Sequence, residues 1–146
     1  MGRPPPGTIS FSVRLGGRQW GWRERRAVPT ASVLKALLLV AYLRRRDVAR
    51  LPSLCVAGDL GLSRLDARDA ARFFGELPGL VPRRHRAYAT WLLAHVVAAQ
   101  RWGIGQTRLP AGWRLLFKGG WGSGSGAVDH RPRCCSAAAV RAWRSR

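Results

Sequence analysis

The sequence predicts an α+β fold, with strands toward both ends and helices between them. Three observations predict it. Ile9, Phe11, Val13 and Leu15 alternate with Thr8, Ser10, Ser12 and Arg14, the period of a strand with one buried face. Val33 to Leu43 is apolar on nearly every side except at Lys35, the pattern of a central helix. Trp113 to Phe117 is a second strand-like run, ending at Lys118 before a glycine pair. A chain of 146 residues with 47% hydrophobic content suits one domain and has enough apolar material for a core.

Each element follows from local signals. Residues 1–6 are a Pro-rich leader. Gly16-Gly17 is a hairpin turn, returning through Arg18 to Arg23 with Trp20 and Trp22 on one face. Pro29 blocks an earlier helix start, Thr30 or Ser32 caps the central helix, and Arg44, Arg45 and Arg46 suit its C-terminus. Pro52, Gly58 and Gly61 argue against a long element between Val48 and Leu62. A second helix is expected from Ser63 as cap, with Asp66 three residues on, to about Leu77. Pro78, Gly79 and Pro82 then form a linker. A third helix is expected from Arg83 to Gln100, with Tyr88, Leu92, His95 and Val96 on one side. Gly119 to Gly126 is a tight glycine-rich connection to a strand at Ala127 to His130. Residues 7 to 130 thus make the domain. Residues 131 to 146 show no useful periodicity and are expected outside its core.

Charge narrows the function. Lys plus Arg is 26 against 7 acidic residues, a formal net charge of +19. Such a charge points first to nucleic acid or an acidic surface. Seven Trp among the arginines would suit stacking on single strands, so a basic Arg/Trp-rich nucleic-acid-binding protein is the alternative reading. No zinc-finger spacing, RNP1-like run or clear helix-turn-helix accompanies it, and nonspecific binding at low salt is the expected form. Only Lys35 and Lys118 are lysines. Arg replaces Lys at any solvated position, so a codon bias gives the same balance and leaves lysine where Arg cannot serve.

Other chemistries have weaker signals. Cys55, Cys134 and Cys135 are odd in number and form no disulfide framework. With His85, His95 and His130 they fall in no metal-ligand spacing. The longest apolar run, Ala36 to Leu43, is far short of the roughly 20 residues that span a bilayer, and no signal peptide is visible at the start. Gly122 to Gly126 lacks the following Lys and helix of a phosphate loop.

The two lysines stand in informative places. Ser32-Val33-Leu34-Lys35 puts a Ser hydroxyl and a Lys amine at i and i+3, on one helix face and near the positive end of the helix dipole. Burial in an apolar helix favours the neutral amine, a competent base for a serine nucleophile. Ser at a helix start is more often only a cap. Lys118 ends a strand before Gly119-Gly120, where a substrate backbone could approach closely and the ammonium could bind a carboxylate. The plain alternative is an exposed lysine before a turn.

On these residues the chain resembles the class A β-lactamase and penicillin-binding-protein superfamily of serine hydrolases. The matching stretches are Gly7 to Leu15, Arg18 to Trp22, Ala27 to Lys35, Gly61 to Phe74, Val81 to Gly105 and Gly112 to His130, most of the chain. The resemblance implies an antiparallel sheet with a helical subdomain, incomplete here, and the site between them. It implies Ser32 as acylated nucleophile, Lys35 as its proton partner and Lys118 as the holder of a substrate carboxylate. Lys118-Gly119-Gly120 stands for the family's Lys-Thr-Gly motif. The oxyanion donors would be the Ser32 amide and one near Gly120 or Trp121. The substrate would be a β-lactam or a related amide or ester, with no metal or organic cofactor, and the chain a monomer. Relatives are usually exported, whereas this start carries no signal, so the compartment stays open.

The chain departs from the family pattern in four respects. It contains no asparagine, so the family's Ser-x-Asn motif is absent. Glu24 and Glu76 are its only glutamates, and neither falls at the deacylating position. The segment Asp47 to Leu60 is short, as an internal deletion would leave it, and Arg131 to Arg146 looks as a frameshift would leave it. Slow acylation and slower turnover are the expectation.

Overall fold

The computed structural model describes residues 7–45, 63–102, 106, 108–122, 128–130 and 132–137. The leader, the 46–62 segment with Cys55, residues 123–127 of the glycine-rich connection and residues 138–146 lie outside them. The chain is a mixture of helices and small antiparallel sheets, as the α+β expectation requires.

β1 (Phe11–Leu15) and β2 (Arg18–Trp22) form the expected hairpin. Gly16 and Gly17 both take positive φ, 56° and 79°, which a two-residue turn of matching twist requires. The register pairs Phe11 with Trp22 and Val13 with Trp20, so the apolar side chains share one face. That face is open rather than buried: Phe11, Val13, Leu15, Trp20 and Trp22 are all exposed. The polar face turns inward instead. The Arg14 guanidinium lies 2.7 Å from the Glu76 carboxylate, and Gln19 Nε2 donates to the Arg68 carbonyl at 2.9 Å. Alternation specified the two faces correctly; the side that meets the helices was set by these long polar side chains.

β3 (Val28–Pro29) pairs with β4 (Arg64–Leu65), and Thr30 N–H extends that ladder by donating to the Ser63 carbonyl at 2.9 Å. Ser63 is therefore strand-like backbone, not a cap. α2 (Ala67–Leu80) starts four residues later, and the Asp66 carboxylate caps it by accepting the Asp69 N–H at 2.7 Å. The helix also runs through Pro78, where the sequence predicts a linker. Proline removes one N–H but leaves the following bonds possible, and packing of Leu77, Leu80 and Val81 on the core offsets the loss.

A 3-10 turn (Ala31–Val33) leads into α1 (Leu34–Leu43). α1 is the central helix, burying Ala36, Leu39, Val40 and Leu43. Around it pack Phe74 and Leu77 of α2, and Ala89 and Leu93 of α3 (Arg83–Ala94). α3 ends earlier than expected; Ala98–Gln100 is a separate 3-10 turn and His95 is exposed. Leu116 closes the core from β5 (Trp113–Phe117).

β6 (Gly120–Gly122) pairs with β7 (Val128–His130), and β5 pairs with β8 (Arg133–Ala137). The two ladders run in the same sense, Phe117 facing Arg133 and Gly120 facing His130. Together they form one long hairpin, broken at Lys118 and Gly119. β8 lies in the segment whose sequence shows no periodicity. A strand held by main-chain pairing to β5 needs none.

Candidate functional site

The turn carrying Ser32 is held from two sides. On one side is the β3–β4 ladder, ending in the Thr30–Ser63 bond. On the other is β6. A Cβ on Gly120 would lie 2.8 Å from Val33 Cγ2, 2.9 Å from the Val33 nitrogen and 3.1 Å from the Thr30 carbonyl oxygen. Only glycine lets the β6 backbone come this close to the turn.

Between these supports the backbone takes an unusual conformation. Ala31, immediately before Ser32, has φ 45°, the left-handed region that L residues with a Cβ avoid. A non-glycine residue there costs about 1–3 kcal/mol, and such positions cluster at functional sites. Nothing in the sequence signals it, since alanine has no preference for that region.

Ser32, on the 3-10 turn, and Lys35, in the first turn of α1, are both half-buried. Among the described residues no hydrogen bond joins Ser32 Oγ to Lys35.

Lys118 sits at the break of the long hairpin. Its backbone N–H donates to the Pro132 carbonyl at 3.4 Å, and its Nζ donates to the Gly119 carbonyl at 2.6 Å. Burial pushes the ammonium below its ordinary value, and the positive charge of Lys35 pushes it further. Two residues on, Gly120 is packed against the turn that leads into the helix carrying Lys35. Gly119 and Gly120 are buried beside it. The Trp121 ring lies against Gly119 and leans on Trp102, the centroids 5.7 Å apart.

The structure therefore brings Lys35, Lys118, Gly119 and Gly120 to the turn bearing Ser32, with Trp121 at the outer side. The glutamates are engaged elsewhere. Glu24 pairs with Arg68 at 3.4 Å, and Glu76 pairs with Arg14 and Arg72. Among the described residues no group of three His, Cys, Asp or Glu is placed to hold a metal ion, and no helix is long and apolar enough to cross a membrane. No family model, curated protein or solved structure matches the chain.

Proposed function

We propose that this chain is a serine acyl hydrolase of the β-lactamase-like kind, acylated at Ser32. The observation that carries the reading is the seating of Gly120, two residues after Lys118, against the backbone of the turn that bears Ser32. A solvated-surface origin for Lys118 does not account for its burial or for the field of Lys35.

In this reading Ser32 Oγ attacks an acyl carbonyl and forms an ester bond as the amide C–N bond breaks. Lys35, in its neutral form, takes the hydroxyl proton and passes it to the departing nitrogen. Lys118 has used one of its three hydrogens on Gly119, leaving two for a substrate carboxylate. That carboxylate would also favour the charged amine in its half-buried place. The Ser32 amide and an amide of β6 at Gly120 or Trp121 would serve as oxyanion donors, on backbone held close by the missing Cβ of Gly120. Both glutamates are held in ion pairs with arginines rather than turned to activate water. The acyl-enzyme is expected to accumulate rather than turn over.

Intact-mass measurement after incubation with benzylpenicillin or a chromogenic cephalosporin tests this. One added acyl group, absent in Ser32→Ala, is the expected result. An unmodified folded chain sinks the reading.

A second reading, binding of single-stranded nucleic acid, is favoured by one observation. Trp20 and Trp22 are exposed side by side on the hairpin, with the Arg23 guanidinium 5.8 Å from the Trp22 ring centre. It predicts loss of RNA affinity in Trp22→Ala beyond the loss that salt alone produces.

A further inference from the structure

The β1–β2 hairpin carries an uncovered apolar face. Residues paired across an antiparallel ladder share a face, so Phe11 and Trp22 lie on one side with Val13 and Trp20, and Leu15 extends it to the turn. Ile9 continues the alternation two residues before Phe11. All six side chains are exposed. A contiguous patch of this kind marks an interaction surface, which scattered apolar residues do not. The opposite, polar face is fastened to α2 through Arg14–Glu76 and Gln19–Arg68, so the apolar face is held outward. Arginines close both of its ends. Arg18 stands opposite Leu15 at the turn. At the other end the Arg23 guanidinium lies 5.8 Å from the Trp22 ring centre, and the exposed Arg25 and Arg26 follow it. Neither strand contains an acidic residue.

The partner has to match an apolar centre and basic ends together. A second copy fails on charge, because two such faces would bring arginines against arginines between chains of net charge +19 each. Single-stranded nucleic acid matches the arginines and the rings, but Ile9, Val13 and Leu15 offer its bases nothing to stack on. A bilayer surface with anionic headgroups matches the whole face. Aliphatic side chains enter the acyl boundary and tryptophans favour the headgroup level. Arginines at the rim keep their charge among the lipid phosphates while their stems cover apolar surface.

We propose that the apolar face of this hairpin binds an anionic lipid surface, with Val13, Leu15 and Trp22 among the side chains that meet the acyl chains. The proposal is independent of acylation at Ser32, and it assigns Trp20 and Trp22 to lipid rather than to nucleic acid.

The test is co-flotation of the full chain with vesicles of phosphatidylglycerol mixed into phosphatidylcholine, against vesicles of phosphatidylcholine alone. Stronger binding to the mixed vesicles is expected. Charge alone draws a chain of this kind to them, so the decisive variant keeps the charge constant. Val13→Ser combined with Leu15→Ser should weaken binding at least about tenfold while leaving the thermal melt in place. Phosphatidylglycerol vesicles with brominated acyl chains should quench the parent's tryptophan emission, and Trp20→Phe combined with Trp22→Phe should lose most of that quenching. Equal binding to both kinds of vesicle, unweakened binding of the serine variant, unchanged quenching in the phenylalanine variant, or absence of binding overturns the proposal. So does poly(U) binding that the phenylalanine variant loses when vesicles are not bound, which gives the face to RNA. A dimer of the chain alone that the serine variant dissolves gives the face to a second copy and overturns it too.

Discussion

The helical core and the β1–β2 hairpin are written in the same apolar residue types and end in opposite environments. Leu43 and Phe74 are 0% exposed, whereas Leu15 is 73% and Trp22 60% exposed. α1, α2 and α3 are apolar on faces that meet one another, so each supplies the partner the others need. The hairpin has two well-separated faces, and its polar one is tied to α2 by Arg14–Glu76 and Gln19–Arg68. Hydrophobic periodicity thus fixes which side chains share a face. Whether that face is covered depends on a complementary surface, which the pattern does not encode.

The largest effect expected from this contrast is in the core. Phe74→Ala should destabilise by about 3–5 kcal/mol, through lost burial and a cavity in a packed surround. Leu15→Ala should stay within about 0.5 kcal/mol of the parent, because the side chain already faces water. Urea unfolding monitored by circular dichroism measures both. Comparable losses would break the contrast and mean that the hairpin face is covered in solution.

Two glycines sharpen it at finer scale. Gly120→Ala puts a methyl group against the Val33 backbone and side chain, where the atoms to be moved belong to the Ser32 turn. A loss of about 1–3 kcal/mol is expected, as for other overpacked sites. Gly79 lies in α2 with nothing within 4 Å of its added Cβ. Gly79→Ala should therefore gain about 0.5–1 kcal/mol, the usual helix preference for alanine. The same unfolding measurement reads both, and a neutral Gly120→Ala would show that β6 is not pressed against the turn.

Much of this arrangement is legible in the sequence. The hairpin turn at Gly16-Gly17, the apolar run of α1 and the strand ending at Lys118 all rest on short-range signals. What escapes it depends on contacts between distant residues. Ser63 is drawn into a ladder with Thr30, which moves the helix cap to Asp66. β8 forms because β5 offers it a main-chain edge. The left-handed Ala31 is imposed by the supports on either side of its turn. For the candidate site, the rarity of lysine marked two positions, but only the fold seats Gly120, two residues after Lys118, on the turn that bears Ser32.

That proximity sets the subtlest test of where the site belongs. Lys118 is depressed first by burial and then by the charge of Lys35. Because the chain has two lysines, reductive methylation with ¹³C-formaldehyde gives only two side-chain signals to follow by NMR. The Lys118 midpoint should fall below the ordinary 10.5. Lys35→Met should move it part of the way back, since burial remains. The sign for stability follows from linkage. The folded chain holds the Lys118 proton less tightly than the unfolded chain does, so stability rises with pH between the folded midpoint and 10.5. The penalty is fully present below that window. Lys118→Met has no such penalty, so the part of any stability difference that depends on pH should change across that window and be constant below it. Solvent at this half-buried amine keeps the effect small beside that of Phe74→Ala. A Lys118 midpoint indifferent to Lys35→Met would show that the two lysines do not share one site and would overturn the proposed chemistry.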